Sequence, residues 1–194
     1  MLQTGVMAAL ETAREAIAIL QGAGVTLSPG LTHDEFARIK RRQGFEFAEV
    51  HRIFLSMNLP LGKRWPDWRS EDTEATQSRL DWPIEGIVFD VLTNAFWLAA
   101  WGERPLDKGV AEQVARAHLA LTPKMVPIYG HRYLPAGPRP LDRPVFSIYQ
   151  TDVIYYGADL VDYVANEFAR RNPAPSAASP SCRVDFWLDL VDEG

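Results

Sequence analysis

The segment that most constrains the fold lies near the carboxyl-terminal end of the chain, at residues 144–168. Its first part, residues 145–156, is rich in β-branched and aromatic residues and predicts one long strand. Gly157 can adopt the positive φ of a turn, and Asp159 can cap the exposed N–H groups that begin a helix. From Leu160 onwards, apolar residues recur at helical spacing. The segment therefore predicts a strand followed directly by an amphipathic helix.

Three amphipathic helices are predicted in the amino-terminal part of the chain. In the first, apolar residues recur every three or four positions over residues 2–20. The second begins at a capping box formed by Thr32 and Glu35 and ends at Gly44. The third has an apolar stripe over residues 50–57. Helices precede strands along the chain, which is typical of an α+β fold.

The remaining elements are less regular. Residues 86–91 predict a short strand and residues 125–134 a longer one, with Pro127 at an edge or a bulge. Residues 172–182 are rich in Pro, Ala and Ser and predict a linker. Residues 183–194 are apolar again, and we expect them to form a last strand that docks back on the domain.

Composition and charge exclude several classes of protein. With 194 residues and 47% hydrophobic residues, the chain is long enough for one domain with a substantial core. A net charge of −5 disfavours nonspecific nucleic-acid binding, which needs a basic surface, but it suits a basic partner. The single cysteine, Cys182, excludes an internal disulfide and a cysteine-rich zinc site.

The sequence predicts a cytoplasmic protein without a cofactor or a metal. It has no basic segment followed by a clean apolar run near its start, and no apolar stretch long enough for a membrane span. The four histidines are dispersed, and the chain lacks the common phosphate-binding, dinucleotide-binding and hydrolase motifs.

One candidate binding surface is the loop that contains Trp65, Asp67, Trp68 and Arg69. Tryptophan and arginine are typical anchors of protein interfaces, so this loop is a candidate docking surface for another protein. The alternative is that the two indole rings form part of the core wall, and the sequence leaves these two interpretations nearly balanced.

A second candidate is a polar cluster formed by His131, Arg132, Tyr133 and Asp152. Histidine and a carboxylate can act as general acid and base. On a continuous strand, however, His131 and Tyr133 share one face while Arg132 points to the other. We therefore favour structural hydrogen bonding over catalysis for this cluster.

Four segments together resemble the SMI1/KNR4 family of the SUKH superfamily. They are SPGLTHDEF with the following GFEF, WPIEGI with the later WGERP, the pair of segments at residues 121–135 and 144–168, and FWLDL at residues 186–190. The chain departs from the family pattern at Ala48, where a proline is usual.

The resemblance implies an α+β domain, placed at residues 27–171, with helices on one side of a twisted, mostly antiparallel sheet. The helix predicted from apolar periodicity precedes it, over residues 1–26. The resemblance also implies protein binding without catalytic residues. Bacterial members are commonly immunity proteins that neutralise polymorphic toxins by direct binding. A housekeeping or regulatory scaffold is the alternative, and an enzyme that uses His131 and Asp152 is a third hypothesis.

Overall fold

The computed structural model describes residues 2–71, 73–137, 143–170, 172, 174–175 and 184–193. The helices are α1 (Leu2–Gly22), α2 (His33–Gln43), α3 (Glu49–Met57), α4 (Glu74–Thr93), α5 (Lys108–Leu119), α6 (Leu160–Val164) and α7 (Trp187–Glu193). The strands are β1 (Leu27–Pro29), β2 (Asn58–Pro60), β3 (Met125–Tyr129), β4 (Arg132–Pro135), β5 (Val145–Tyr149) and β6 (Asp152–Gly157).

The α+β class predicted from the sequence is confirmed. Strands β3 to β6 form an antiparallel sheet in chain order, and β1 pairs with β2 in a separate two-stranded sheet. The predicted capping interactions at the start of α2 and α6 are also present. Thr32 accepts from the backbone N–H of Glu35, whose side chain accepts in return from Thr32 N–H. Asp159 caps α6 by accepting from the N–H of Asp162 at 2.9 Å.

Helices cover both faces of the large sheet, whereas the resemblance implied one covered face. On one face, Val126, Leu134 and Val145 pack in a cluster with the buried sides of α1, α2, α3 and α6. On the other face, Tyr133, Phe146 and Ile148 pack with α4, α5 and α7. The alternation of side chains along each strand separates the two clusters.

Both long predicted strands are hairpins. The chain turns at Gly130 and His131 between β3 and β4, and at Gln150 and Thr151 between β5 and β6. Gly130 and Gln150 each have a φ of 57°, which brings the chain back on itself. Glutamine is not a typical residue for positive φ, so the second turn has no clear signal in the sequence.

The predicted strand at residues 86–91 is part of helix α4 instead. Leu80, Ile87, Val88 and Val91 are buried at helical spacing on one face of this helix. A short apolar run fits a buried strand and a buried helix equally well, and the preceding polar residues, which extend the helix, decide between them.

The predicted carboxyl-terminal strand is also a helix, α7. Val184, Trp187 and Leu190 are buried at a spacing of three residues. Alternation would have buried Phe186 and Leu188 and exposed Trp187. The sequence of this segment fits both periods, and contact with the sheet selects the helical one. The predicted linker over residues 172–182 lies largely outside the described residues.

Among the described residues, none of the helices combines the length and the apolar character needed to cross a bilayer. Helix α1 packs on α3 and α6, and Ala13, Ala16 and Leu20 are buried in the first cluster. The amino-terminal helix therefore contributes to the core of the domain.

Acid should weaken the fold through His51. Its side chain is 1% exposed, packs against Phe47 and has no hydrogen-bond partner for Nδ1. Burial lowers the pKa of His51 from 6.5 to about 3. The unfolded chain takes up a proton on this imidazole below about pH 6.5 and the folded chain does not, so stability is present above pH 6.5 and is lost as the pH falls towards 3.

We expect His51 to account for a loss of about 2 kcal/mol in the free energy of unfolding between pH 6.5 and pH 4.5. Urea denaturation at a series of pH values measures this loss. The variant His51→Leu should flatten the dependence, whereas His33→Gln, at an exposed position, should leave it unchanged. Equal pH slopes for the wild type and His51→Leu would contradict the assignment.

Candidate functional site

The two tryptophans of the predicted docking loop are core residues. Trp65 is 8% exposed and stacks on Phe168 with 5.6 Å between ring centroids. Trp68 is 4% exposed and packs edge-on against Phe47 at 5.0 Å. Neither ring offers a surface to a partner, and of the two interpretations the sequence left open, the core wall is the correct one.

Asp67 and Arg69 hold this loop in place. Arg69 forms an ion pair with Glu35 at 2.7 Å and donates to the carbonyl of Gly30 at 2.7 Å. Asp67 accepts from the backbone N–H groups of Arg69 and Ser70. The hydrogen bond from Arg69 is the main cause that lowers the pKa of Glu35 to about 2. All four residues of this predicted site therefore have structural contacts.

Arg132 of the predicted polar cluster is buried beside Tyr156, a member of the first core cluster. It donates to Ser147 Oγ at 2.9 Å and contacts Glu167 Oε2 at 3.4 Å. Its guanidinium lies 3.7 Å from the centroid of the Tyr156 ring. These contacts make Arg132 the centre of a buried network on one face of the sheet.

Tyr133 points to the opposite face, where its hydroxyl donates to the carbonyl of Arg79 at 3.1 Å. Pro83 explains why that carbonyl is free, since proline lacks the N–H that would bond to the residue four positions earlier in α4. Burial raises the pKa of Tyr133 well above its usual value.

The other two members of the polar cluster lie at the end of the sheet. His131 is in the β3–β4 turn, and Asp152 is exposed at the start of β6. The contacts of the described residues include no hydrogen bond between any two of His131, Arg132, Tyr133 and Asp152. The four side chains do not converge on a common point, as an acid–base site would require.

A cavity of about 300 Å³ lies at the end of the sheet where the two hairpin turns meet. We call it the arginine pocket. It is lined by Arg64, Ser78, Arg79, Trp82, Gly130, His131, Tyr133 and Tyr149. Two adjacent hairpins of an antiparallel sheet place both turns at the same end, so residues distant in sequence meet here.

Helix α4 holds the β5–β6 turn against the pocket. Asp90 accepts from the backbone N–H of Thr151 at 3.0 Å and from its hydroxyl at 2.7 Å. Gly86, one helical turn earlier, allows the close approach, since a Cβ there would lie 2.9 Å from Cα of Gln150. These contacts bring the ring of Trp82 within 6.1 Å of the Tyr149 ring.

Both of these aromatic rings are open to solvent. Trp82 is 45% exposed and Tyr149 is 54% exposed. Large aromatic side chains bury much apolar area when a partner covers them. Recognising α4 as a helix from the sequence would have placed Arg79, Trp82 and Gly86 on one face of it.

The two arginines of the pocket are held in different ways, Arg79 by backbone carbonyls and Arg64 by an aromatic ring. Arg79 donates to the carbonyls of Lys63 and Arg64 at 2.7 and 3.2 Å. The guanidinium of Arg64 lies 4.4 Å from the centroid of the Tyr129 ring. Within the described part of the chain, neither arginine has a carboxylate at ion-pair distance. Among the described residues, the pocket thus carries two guanidinium groups that are not in ion pairs.

His131 adds no further charge near neutral pH. Burial is the main cause that lowers its pKa below the usual value, and the charges of Arg132 and Arg64 lower it further. Glu167 and Asp152 act in the opposite direction. The imidazole is therefore a neutral hydrogen-bonding group of the pocket.

A larger groove of about 570 Å³ lies between α2 and α3. Its apolar lining consists of Leu31, Phe36, Phe45 and Phe47, together with Ala37. The charges at its rim are paired with one another, Lys40 with Glu46 and Arg52 with Glu49. This groove therefore lacks the uncompensated charge of the arginine pocket.

The described residues contain no group of three or more His, Cys, Asp or Glu side chains arranged to hold a metal ion. Comparisons of the chain with protein-family models, with curated proteins and with solved structures give no match. The resemblance to the SMI1/KNR4 family therefore stays a prediction from the sequence.

Proposed function

We propose that the chain is a protein-binding module and that the arginine pocket is part of its contact surface. The observation that carries this proposal is the exposure of Trp82 and Tyr149 beside two arginines without carboxylate partners. Tryptophan, tyrosine and arginine are the residues most enriched among those that dominate binding energy at protein interfaces.

The resemblance to the SMI1/KNR4 family adds a more specific version of the same proposal. In that version the chain is a cytoplasmic immunity protein that binds a toxin domain and blocks its active site. A housekeeping or regulatory scaffold would use the same surface for a cellular partner. The two versions differ only in the identity of the partner, and no cofactor or nucleic acid is part of either.

A photo-crosslinking side chain at position 82 tests the proposal directly. We expect benzoylphenylalanine in place of Trp82 to yield a covalent adduct with one protein from the native host. The matched control places the same side chain at Leu106, which is fully exposed outside the pocket. An adduct at position 82 that is absent at position 106 supports the proposal, and adducts at neither position contradict it.

The variant Trp82→Ala measures how much the Trp82 side chain contributes to the binding of the partner. Once the crosslinked protein is identified, we expect this substitution to weaken its binding at least tenfold, because an exposed tryptophan at an interface contributes about 2 kcal/mol or more. Isothermal titration calorimetry with the purified partner measures the change. If the partner is a toxin domain encoded beside this chain, the wild type should also inhibit it at equimolar ratio, whereas a scaffold would leave such a toxin unaffected.

A further inference from the structure

The charge of the arginine pocket is opposite in sign to that of the whole chain. The formal net charge is −5, yet the groups that line this pocket include Arg64 and Arg79 and no carboxylate. Acidic surface at a distance steers basic molecules, but contact at the pocket is decided by the groups that line it. The pocket therefore favours an anionic group, whereas the acidic composition of the chain suggests a basic partner.

The donors of the pocket suit a planar anion. A guanidinium presents its N–H groups in a fork that matches the two oxygens of a carboxylate. Arg64 is fixed by its contact with the Tyr129 ring and by the close approach of Gly130. A Cβ at Gly130 would lie 2.9 Å from a terminal nitrogen of the guanidinium. Preorganised donors lose less side-chain entropy on binding than mobile ones.

The size and walls of the pocket suit one side chain with an apolar stem. A cavity of about 300 Å³ is at the lower end of the range for small-molecule sites. Trp82 and Tyr149 would contact the methylene groups of an acidic side chain while the arginines contact its oxygens.

We propose that the arginine pocket binds a glutamate or aspartate side chain from an acidic segment of the partner protein. This inference rests on the proposed protein-binding function and specifies the chemistry of the partner. It also means that a partner with overall basic charge must present a local acidic segment at this surface.

Titration of the ¹⁵N-labelled protein with capped peptides tests the inference. The probes are acetyl-Gly-Glu-Gly-amide and acetyl-Gly-Gln-Gly-amide, with sodium acetate and sodium phosphate at matched ionic strength. We expect the glutamate peptide to shift the Trp82 indole signal and to bind about tenfold more tightly than the glutamine peptide and than either free anion. Equal binding of the two peptides overturns the inference, and tighter binding of phosphate identifies a free-anion site instead.

The variant Arg64→Gln should abolish the preference for the glutamate peptide. The control is Arg41→Gln on α2, an exposed arginine outside the pocket, which should keep the preference. The indole signal of Trp82 in the free variants shows whether the pocket stays folded. If Arg64→Gln keeps the preference, the inference is wrong.

The two proposals can fail separately. A partner that crosslinks at position 82 and binds the wild type and Arg64→Gln equally well would leave the protein-binding function standing and overturn the carboxylate inference. Both proposals are supported if Arg64→Gln weakens the binding of the partner about tenfold. In that case, exchanging Glu for Asp in the contact segment of the partner should keep its binding to the wild type, whereas exchanging it for Gln should not.

Discussion

Replacing Trp187 with alanine is expected to lower the free energy of unfolding by about 3–5 kcal/mol. The indole ring is fully buried in the second core cluster, and its Nε1–H donates to the carbonyl of Pro123 at 2.8 Å. The substitution leaves a cavity the size of a bicyclic ring and an acceptor without its donor. Urea denaturation followed by circular dichroism measures the change.

The same experiment tests the docking of helix α7. Trp187 and Leu190 are buried residues of this helix, which packs against β6. The variant Leu106→Ala, at a fully exposed position, should change the free energy of unfolding by less than about 0.5 kcal/mol. A loss below about 1 kcal/mol for Trp187→Ala would mean that α7 detaches from the domain at little cost.

Phenylalanine at position 187 separates packing from hydrogen bonding. Trp187→Phe keeps much of the ring volume but removes the donor to Pro123. We expect it to cost less than the alanine variant, with about 1–3 kcal/mol of the loss due to the unsatisfied carbonyl.

The helices of this fold could be predicted where a local signal marks their ends. Thr32 and Glu35 form the predicted capping box, and Asp159 caps α6 as expected. These interactions involve residues three positions apart, so the sequence contains all the information that determines them.

The ends of the strands and the helical form of the last segment could not be predicted, because contacts between residues distant in sequence determine them. The run from Val145 to Tyr156 reads as one strand because its turn uses Gln150, a residue without a turn preference. That turn is fixed by Asp90, about sixty residues earlier, through two hydrogen bonds from Thr151. No local pattern records such a contact.

The candidate site was missed for the same reason. Trp65 and Trp68 are candidates in the sequence because tryptophan is a typical interface anchor, but their rings face Phe168 and Phe47. Arg64, which precedes Trp65, lines the pocket instead. The exposed rings, Trp82 and Tyr149, come from a helix that was not recognised and from the end of a strand whose turn was not recognised. Their proximity follows from the sheet topology and could not be inferred before it was known.

Replacing Arg132 with methionine is expected to lower the free energy of unfolding by about 3–5 kcal/mol. The side chains of Arg132 and Glu167 are 9% and 10% exposed, so little solvent screens the pair. Methionine fills much of the volume but leaves the Glu167 carboxylate buried without its cation. It also removes the donor to Ser147 Oγ and the contact with the Tyr156 ring.

An exposed pair provides the matched control. Arg116 contacts Glu85 and Glu112 with its side chain 40% exposed, and Arg116→Met should cost less than about 1 kcal/mol, because solvent screens surface ion pairs. The difference between the two arginine-to-methionine variants, measured by urea denaturation, isolates the effect of burial. Similar losses at both positions would contradict the buried network.

The double variant Arg132→Met/Glu167→Gln distinguishes an unpaired charge from lost packing. If the buried carboxylate causes most of the loss, neutralising it should recover about 1–3 kcal/mol relative to Arg132→Met alone. No recovery would assign the loss to the contacts of Arg132 with Ser147 and Tyr156.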